Sequence, residues 1–308
     1  MRGGRLITIG SFDGLHRGHQ GLLERTVAEA AKRKVRSLAL TFPVPPRMVL
    51  DAKARRLILS SELEKRHLLA RFGIDEVALI PFSKDLAAMR PFGFFREVLI
   101  KKYRAIGVVV GSDFRFGAQR SAGALELVRW AEDFGIPVWV ISPVRWNRQV
   151  VSSTLVRALF EEGRFEKASG FLNHPYLIAG KVVRGRGMGT KIGVPTANVD
   201  VHPDKILPRG VFAVRAWARG NENRAGAVLR GVCNIGVRPT FGGARPSVEV
   251  HFPGKKLNLR GKTLFVELER RLRSEKRFRS VDALKVQIAR DIRAAVQGWK
   301  KPRKDAEK

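Results

Sequence analysis

The residues best placed to do chemistry stand near the start of the chain, in Ile9-Gly10-Ser11-Phe12-Asp13-Gly14-Leu15-His16-Arg17-Gly18-His19. His16 and His19 are three apart at the start of an expected helix, so they share a face. A helix N-terminus turns free N–H groups and the positive end of its dipole toward anions. Two imidazoles there can donate hydrogen bonds to phosphate and steady the charge of a phosphoryl-type transition state. Gly10 and Gly14 allow a tight turn and a close approach of backbone to ligand. The same pair could be half of a zinc site, but catalytic zinc needs at least one further ligand. Only His67, His174, His202 and His251 remain, and the chain has a single cysteine, Cys233. The string is read as a phosphate site.

A second string lies in the other half: Gly185-Arg186-Gly187-Met188-Gly189-Thr190-Lys191-Ile192-Gly193-Val194-Pro195-Thr196-Ala197-Asn198. Its glycines suit a loop that cradles phosphate through the backbone. Thr196 and Asn198 are two apart, so an extended chain puts the hydroxyl and the amide oxygen on one face. Both could ligate Mg²⁺ beside nucleotide phosphates. A Gly-rich hairpin with a polar edge would show the same pattern without any ligand.

The elements that must carry these groups differ between the two halves. In the first, strand-like runs at Leu6–Gly10, Val35–Phe42, Glu76–Phe82, Gly107–Gly111 and Val138–Pro143 are separated by helical stretches. Those helices are expected over 18–32, from the Ser61-Glu62-Leu63-Glu64 capping box to about Arg71, over 92–103 and over 123–134. A Pro-rich loop occupies 43–54. This alternation predicts an α/β, doubly wound parallel sheet, with ligands bound beyond the carboxyl ends of its strands. From Tyr176 the helices vanish. Runs at 176–183, 211–218, 227–235, 247–252 and 263–272 follow one another across Gly and Pro turns, which predicts a small antiparallel β-barrel. A single C-terminal helix over 280–297 closes it, with Leu284, Ile288, Ile292 and Ala295 as its apolar stripe. The expected domains are 1–170 and 171–298, joined within 163–175, and a basic tail over 299–308.

Composition narrows the class. No apolar run approaches the roughly 20 residues of a membrane-spanning helix, and the stretch behind Met1 is too short for a secretory signal. One cysteine excludes an intramolecular disulfide, which fits a reducing cytoplasm. Lys and Arg number 59 against 28 Asp and Glu, a net charge of +31. Such a surplus favours polyanions, from nucleotides to nucleic acid, although a solvated basic surface gives the same number.

The first string resembles the signature of the HxGH nucleotidylyltransferases, and its Gly-x-Phe-Asp-Gly preface is similar to that of the prokaryotic bifunctional riboflavin kinase/FAD synthetase family. Gly111-Ser112-Asp113-Phe114-Arg115-Phe116-Gly117 and Ser152-Ser153-Thr154-Leu155-Val156-Arg157 resemble two further motifs of that family. The second string resembles its Gly-Arg-x-Leu-Gly-Phe-Pro-Thr-Ala-Asn motif. Gly231–Phe241, Val248-Glu249-Val250-His251-Phe252 and the Leu272-Arg273-x-Glu275-x-x-Phe278 pattern recur in the family's order. The chain departs from the family at Pro45, where a His is usual, and at Thr190, where an Arg is usual.

The resemblance implies two ATP-using, Mg²⁺-dependent steps: phosphorylation of riboflavin to FMN, then adenylylation of FMN to FAD. It implies His16 and His19 as catalytic in adenylylation, with Gly10, Phe12, Asp13, Gly14, Gly18, Asp113, Ser153, Thr154 and Arg157 binding ATP. In physical terms Ser153 or Thr154 would cap a helix and Arg157 would supply a fixed charge to the phosphates. It implies Gly185, Gly187, Gly189, Lys191, Gly193 and Pro195 at the kinase ATP site, with Thr196 and Asn198 on the metal. Asn234, Arg273 and Phe278 would meet the flavin. Glu249 is the expected base for the ribityl hydroxyl. The implied partners are ATP, riboflavin and FMN, with neither a specific nucleic acid nor a membrane. Two rival readings stand beside this one: a riboflavin kinase whose adenylyltransferase half is weak, and a basic nucleic-acid-binding protein on the same scaffold.

Overall fold

The computed structural model describes residues 3–50, 57–185, 187, 189, 192–219, 227–237, 246–255 and 257–299. Lys191, Thr190, the stretch 238–241 and the tail beyond 299 lie outside the described residues. The chain divides into two compact units, Met1–Arg157 with Phe171–Asn173, and Ala158–Gly170 with His174–Lys308.

The first unit is built on a five-stranded parallel sheet of β1 (Arg5–Ile9), β2 (Arg36–Thr41), β3 (Glu76–Leu79), β4 (Ala105–Gly111) and β5 (Val138–Ile141), in the order β3-β2-β1-β4-β5. The strand runs are apolar because a parallel sheet is covered on both faces. Leu6 and Ile7 of β1 and Val108, Val109 and Val110 of β4 are fully buried. Helices α1 (Arg17–Arg33), α2 (Glu62–Arg71), α3 (Phe94–Lys102) and α4 (Ala124–Glu132) follow the strands. Helix α3 is wound more widely than an α-helix, as a π-helix, where an ordinary helix over 92–103 was expected. The Pro-rich loop also departs from expectation, because Pro46–Leu50 forms a short helix, its first turn closed by the Met48 N–H donating to the Pro45 carbonyl.

Strand β1 pairs with both β2 and β4, so the chain order reverses on either side of it. That reversal opens a crevice at the strand's carboxyl end, where doubly wound sheets bind ligands. The His16–His19 string begins at the last residue of that strand, Ile9.

The second unit is a closed antiparallel barrel of six strands: β6 (Tyr176–Val183), β7 (Thr196–Val201), β8 (Gly210–Arg219), β9 (Leu229–Val237), β10 (Pro246–His251) and β11 (Thr263–Arg273), closing in the order β6-β7-β10-β9-β8-β11. One strand exceeds the expected five. It is β7, which carries Thr196 and Asn198 and whose polar alternation reads in sequence as the flank of a loop. Alternation sorts the two faces: Cys233, Ile235, Val248 and Val250 fill the interior, while Asn234 and Glu249 between them face outward and stay partly accessible. Around the expected seam at 163–175 the chain is helical, with Ser153–Glu161 and Phe165–Leu172 as α5 and α6. The closing helix α7 (Val281–Trp299) lays Ile292 and Ala295 against Val211, Ala213, Val232 and Leu272 on the outside of the barrel.

Candidate active sites

Between β1 and α1 the backbone takes three left-handed conformations, at Phe12 (φ 44°), Gly14 (φ 83°) and Leu15 (φ 43°). Only the glycine adopts this without strain, and two strained non-glycine residues in one loop mark a backbone held for a purpose. What holds it is Asp13. Its carboxylate is fully buried; Oδ1 accepts from the Leu59 and Ser60 N–H groups, both at 2.9 Å. Oδ2 accepts from the Arg157 guanidinium at 2.9 Å. Gly14 N donates to Ser60 Oγ at 3.1 Å, and a side chain at Gly14 would strike Leu59. Thr41 Oγ1 at the end of β2 donates to the Ser11 carbonyl.

This frame sets the two histidines. His16 is the N-cap of α1, and its Nδ1 accepts from the His19 N–H at 3.4 Å. A ring nitrogen that accepts carries no proton, so neutral His16 keeps its N–H at Nε2. Gly18 makes this possible, because a Cβ there would crowd the His16 ring at 3.3 Å. The two imidazoles stack with centroids 3.7 Å apart, and the Phe12 ring meets His19 edge-on at 5.3 Å. Phe12 in turn lies where a Gly10 side chain would stand. His19 Nδ1 is shut from solvent and has no hydrogen-bond partner among the described residues. Burial holds this imidazole well below the ordinary histidine range, and the neighbouring His16 ring and the charges of Lys65 and Arg157 push it the same way.

Lys65, in the first turn of α2, escaped the sequence reading. It is fully buried and its ammonium donates to the Phe42 carbonyl just past β2. Burial brings it down to about 8, partly offset by Asp13 and Glu62. A capping box, Ser61 with Glu64, starts the helix as expected, but no periodic signal singles out the next residue as an interior lysine.

The Ser152–Arg157 segment differs in detail from the expectation. The cap of α5 is Ser152, whose hydroxyl accepts from the Leu155 N–H, and neither Ser153 nor Thr154 takes that place. Ser153 instead donates to the Asp13 carbonyl at 2.8 Å. Arg157 does not stand as a free fixed charge: it is buried on Asp13, with Nη1 left without a partner among the described residues. Asp113 is exposed just beyond the carboxyl end of β4, its Oδ1 close over Gly111.

The barrel's outer face brings the second set together. Strand register places Asn198 opposite Glu249, Glu249 opposite Asn234, Asn234 opposite Val211, and Val211 opposite Arg273. Paired residues of an antiparallel ladder share a face, so four expected site residues form one row across five strands. All five line a cavity of about 490 Å³, as do Gly187, Gly189, Thr196 and Phe278. Val232, Leu284 and Ile288 give it apolar walls. Thr196 Oγ1 donates to Glu249 Oε2 at 3.4 Å, and Ser247 Oγ donates to Oε1 at 3.3 Å. Arg273 binds Asp291 of α7 through Nε and Nη2 at 2.8–3.0 Å, and its guanidinium lies 5.6 Å from the Phe278 ring centre. Gly185 sits against the Asn198 amide, where a Cβ would come within 2.2 Å. Gly189 is packed on the Val194 carbonyl and Thr196. Gly193 is left-handed at φ 80°, and the Pro195 carbonyl meets His251 Nδ1 at 2.8 Å. Cys233, one residue inside this row, is buried, and its thiol is pushed far above its ordinary range by burial and by Glu249.

Known proteins match both halves. Residues 2–155 match the FAD synthetase family and residues 172–298 the riboflavin kinase family. The bifunctional riboflavin kinase/FMN adenylyltransferase of Escherichia coli K12 is 36% identical over 94% of this chain and 90% of its own length. The chain belongs to the bifunctional riboflavin kinase/FMN adenylyltransferase family. The protein of that description from Haemophilus influenzae is 31% identical, over 95% of this chain and 93% of its own. A solved structure described as the macrolide-efflux protein of Streptococcus pneumoniae is 28% identical, covers 95% of this chain and 94% of its own, and superposes with a TM-score of 0.80. No described helix is long and apolar enough to cross a membrane. This family member is a transferase with two activities, the ATP-dependent phosphorylation of riboflavin to FMN and the adenylylation of FMN to FAD with release of pyrophosphate. Both use ATP with a divalent metal.

Proposed function

We propose that the two activities are divided between the two constellations, riboflavin phosphorylation on the outer face of the barrel and FMN adenylylation at the His16–His19 loop. The row Asn198–Glu249–Asn234–Val211–Arg273 carries the first assignment, because it sets one carboxylate among polar groups on the wall of a cavity with apolar sides. Glu249 takes the proton of the ribityl 5′-hydroxyl as that oxygen attacks the γ-phosphorus and ADP leaves. Thr196 and Ser247, both within 3.4 Å of its carboxylate oxygens, orient it. Asn234, Phe278 and the apolar wall receive the flavin, and Arg273 ties that wall to α7.

Thr196 and Asn198 suit Mg²⁺. They offer a hydroxyl and an amide oxygen on one strand face, beside a carboxylate, and oxygen donors are what a hard cation selects. The backbone at Gly185 and Gly189 comes close enough to both that no side chain fits there. Bound with ATP, the ion would neutralise charge on the phosphates. The glycines at 185, 187, 189 and 193 and Lys191 complete the nucleotide loop.

In the first unit, His16 Nε2 and His19 donate to the phosphates as an FMN phosphate oxygen attacks the α-phosphorus and pyrophosphate departs. Gly10, Phe12, Gly14 and Gly18 shape the loop, Asp13 and Ser153 fix it, Arg157 offers Nη1, and Asp113 and Thr154 border the nucleotide. We place the enzyme in the cytoplasm with ATP, riboflavin and FMN as its partners, and assign it no nucleic acid and no membrane. Single substitutions in each site, with flavins separated by chromatography, test the division: Glu249→Gln must spare FMN adenylylation and His19→Ala must spare riboflavin phosphorylation.

A further inference from the structure

We infer that Lys65 is a positioning residue for adenylyl transfer, its ammonium fastening the carboxyl end of β2 beside the histidine loop and holding a positive charge next to His19. This rests on the assignment of that loop to FMN adenylylation.

Three observations carry it. First, a lysine is almost never fully buried unless its ammonium has a partner, and Lys65 spends its buried charge on the Phe42 carbonyl. That carbonyl lies just past the strand whose Thr41 also holds Ser11 of the loop, so the lysine and the threonine secure one junction from two sides. Second, Lys65 follows directly on the segment that clamps Asp13. Leu59 and Ser60 donate to the Asp13 carboxylate, Ser61 caps α2, and Lys65 stands one turn further on. Loop, strand end and helix start thus form one braced frame. Third, the charged side chains that act on His19 are cationic. Asp13 and Glu62 act on Lys65 from the acidic side. Lys65 and Arg157 act on His19, together with His16 stacked against it. A hydrophobic residue could fill the same volume, and it would leave the Phe42 carbonyl without this donor and remove a cation beside His19.

The role predicts how the rate depends on pH. Lys65 must keep its proton to hold Phe42 and to act as a cation, and burial has brought its loss of that proton down to about 8. The turnover of FMN adenylylation should therefore decline as pH rises through that value. In Lys65→Arg the charge persists and the decline should move upward. In Lys65→Met the cation is lost, so His19 should accept a proton more readily and the acidic limb of the profile should rise in pH.

The test supplies FMN and Mg-ATP directly, bypassing the kinase step, and records kcat and KM from roughly pH 5.5 to 9.5, which brackets the ordinary histidine value of about 6.5 and the Lys65 value of about 8. Lys65→Met should lose about 10- to 100-fold in kcat, the scale of a reacting group displaced by a distant change. Its riboflavin phosphorylation should stay at the wild-type rate. A merely structural role would reduce the amount of folded enzyme and leave the profile's limbs in place. Should Lys65→Met fail to fold, the Lys65→Arg profile decides, and a basic limb unmoved from the wild type overturns the inference. Wild-type kcat and limbs in Lys65→Met would overturn it too. His19→Ala is measured in parallel: FAD formation lost there but intact in Lys65→Met refutes the role of Lys65 alone, whereas FAD formation intact in both refutes the site assignment.

Discussion

Arg157 and Asp13, 144 residues apart, form a buried ion pair with Nη2 2.9 Å from Oδ2. Two motifs that look like separate ligand sites are thereby one structural unit. The pair stands behind the loop that presents His16 and His19, and Ser153 reinforces it through the Asp13 carbonyl. Its first consequence concerns stability. Arg157→Met leaves the Asp13 carboxylate buried without its counter-charge, which should cost about 3–5 kcal/mol. Denaturant unfolding of the first unit measures this. A loss below 1 kcal/mol, the scale of an exposed pair, would show that water reaches Asp13.

Glu249→Gln keeps the shape of the side chain and its hydrogen bond with Thr196 and removes the proposed base. Riboflavin phosphorylation should fall by roughly 10²–10⁴-fold. FMN adenylylation, assayed with FMN supplied, should continue. Loss of both activities in a folded protein would end the separation of the two sites.

On the proposed assignment His19→Ala removes a donor to the transition state, and the barrier to FAD formation should rise by roughly 3–4 kcal/mol. The wild-type ring also has a distinct titration. Its proton affinity is lowered in the fold, so the folded state binds that proton less readily than the unfolded chain does. The stabilising contribution is present above the ordinary histidine value of about 6.5 and is lost as pH falls below it. Imidazole NMR should show His19 still neutral at pH 6, and a ring titrating at its ordinary value would contradict the buried setting.

The kinase half should work alone, and its starting residue matters. Phe160 lies 4.5 Å from Tyr176 and Phe165 lies 4.9 Å from Phe212, measured between ring centres. These contacts belong to the second unit. A fragment from Ala158 onward should phosphorylate riboflavin, make no FAD, and melt at a higher temperature than one from Asn173. Equal melting temperatures would show that the aromatic pairs add nothing.

How much of this was legible beforehand depends on the range of the interactions. Alternation of strands and helices up to Pro143, and of strands alone after Tyr176, declared a parallel sheet and an antiparallel barrel, because side-chain periodicity is a local record of which face is buried. The strings around His16 and Thr196 pointed to phosphate and metal chemistry, since spacing within one element sets which groups share a face, whereas Glu249 entered only through the family resemblance. Strand β7 was not legible. Its Thr196, Asn198 and Asp200 alternate like a polar loop edge, and only its pairing with β6 and β10 makes it a wall of the barrel.

The tertiary structure alone decided which side chains act on which. Nothing local distinguishes a lysine buried on a strand carbonyl from the solvated lysines that outnumber it, so Lys65 passed unnoticed. An Arg one turn into a helix reads as a charge awaiting phosphate until a carboxylate from the other end of the unit is found on it. The row from Asn198 to Arg273 joins five strands by register, and register is fixed by closing the barrel around its apolar interior rather than by any one strand. Local sequence determined the elements and the chemical types they carry; partners and electrostatic settings arose from long-range packing, where burial raises the cost of every unpaired charge.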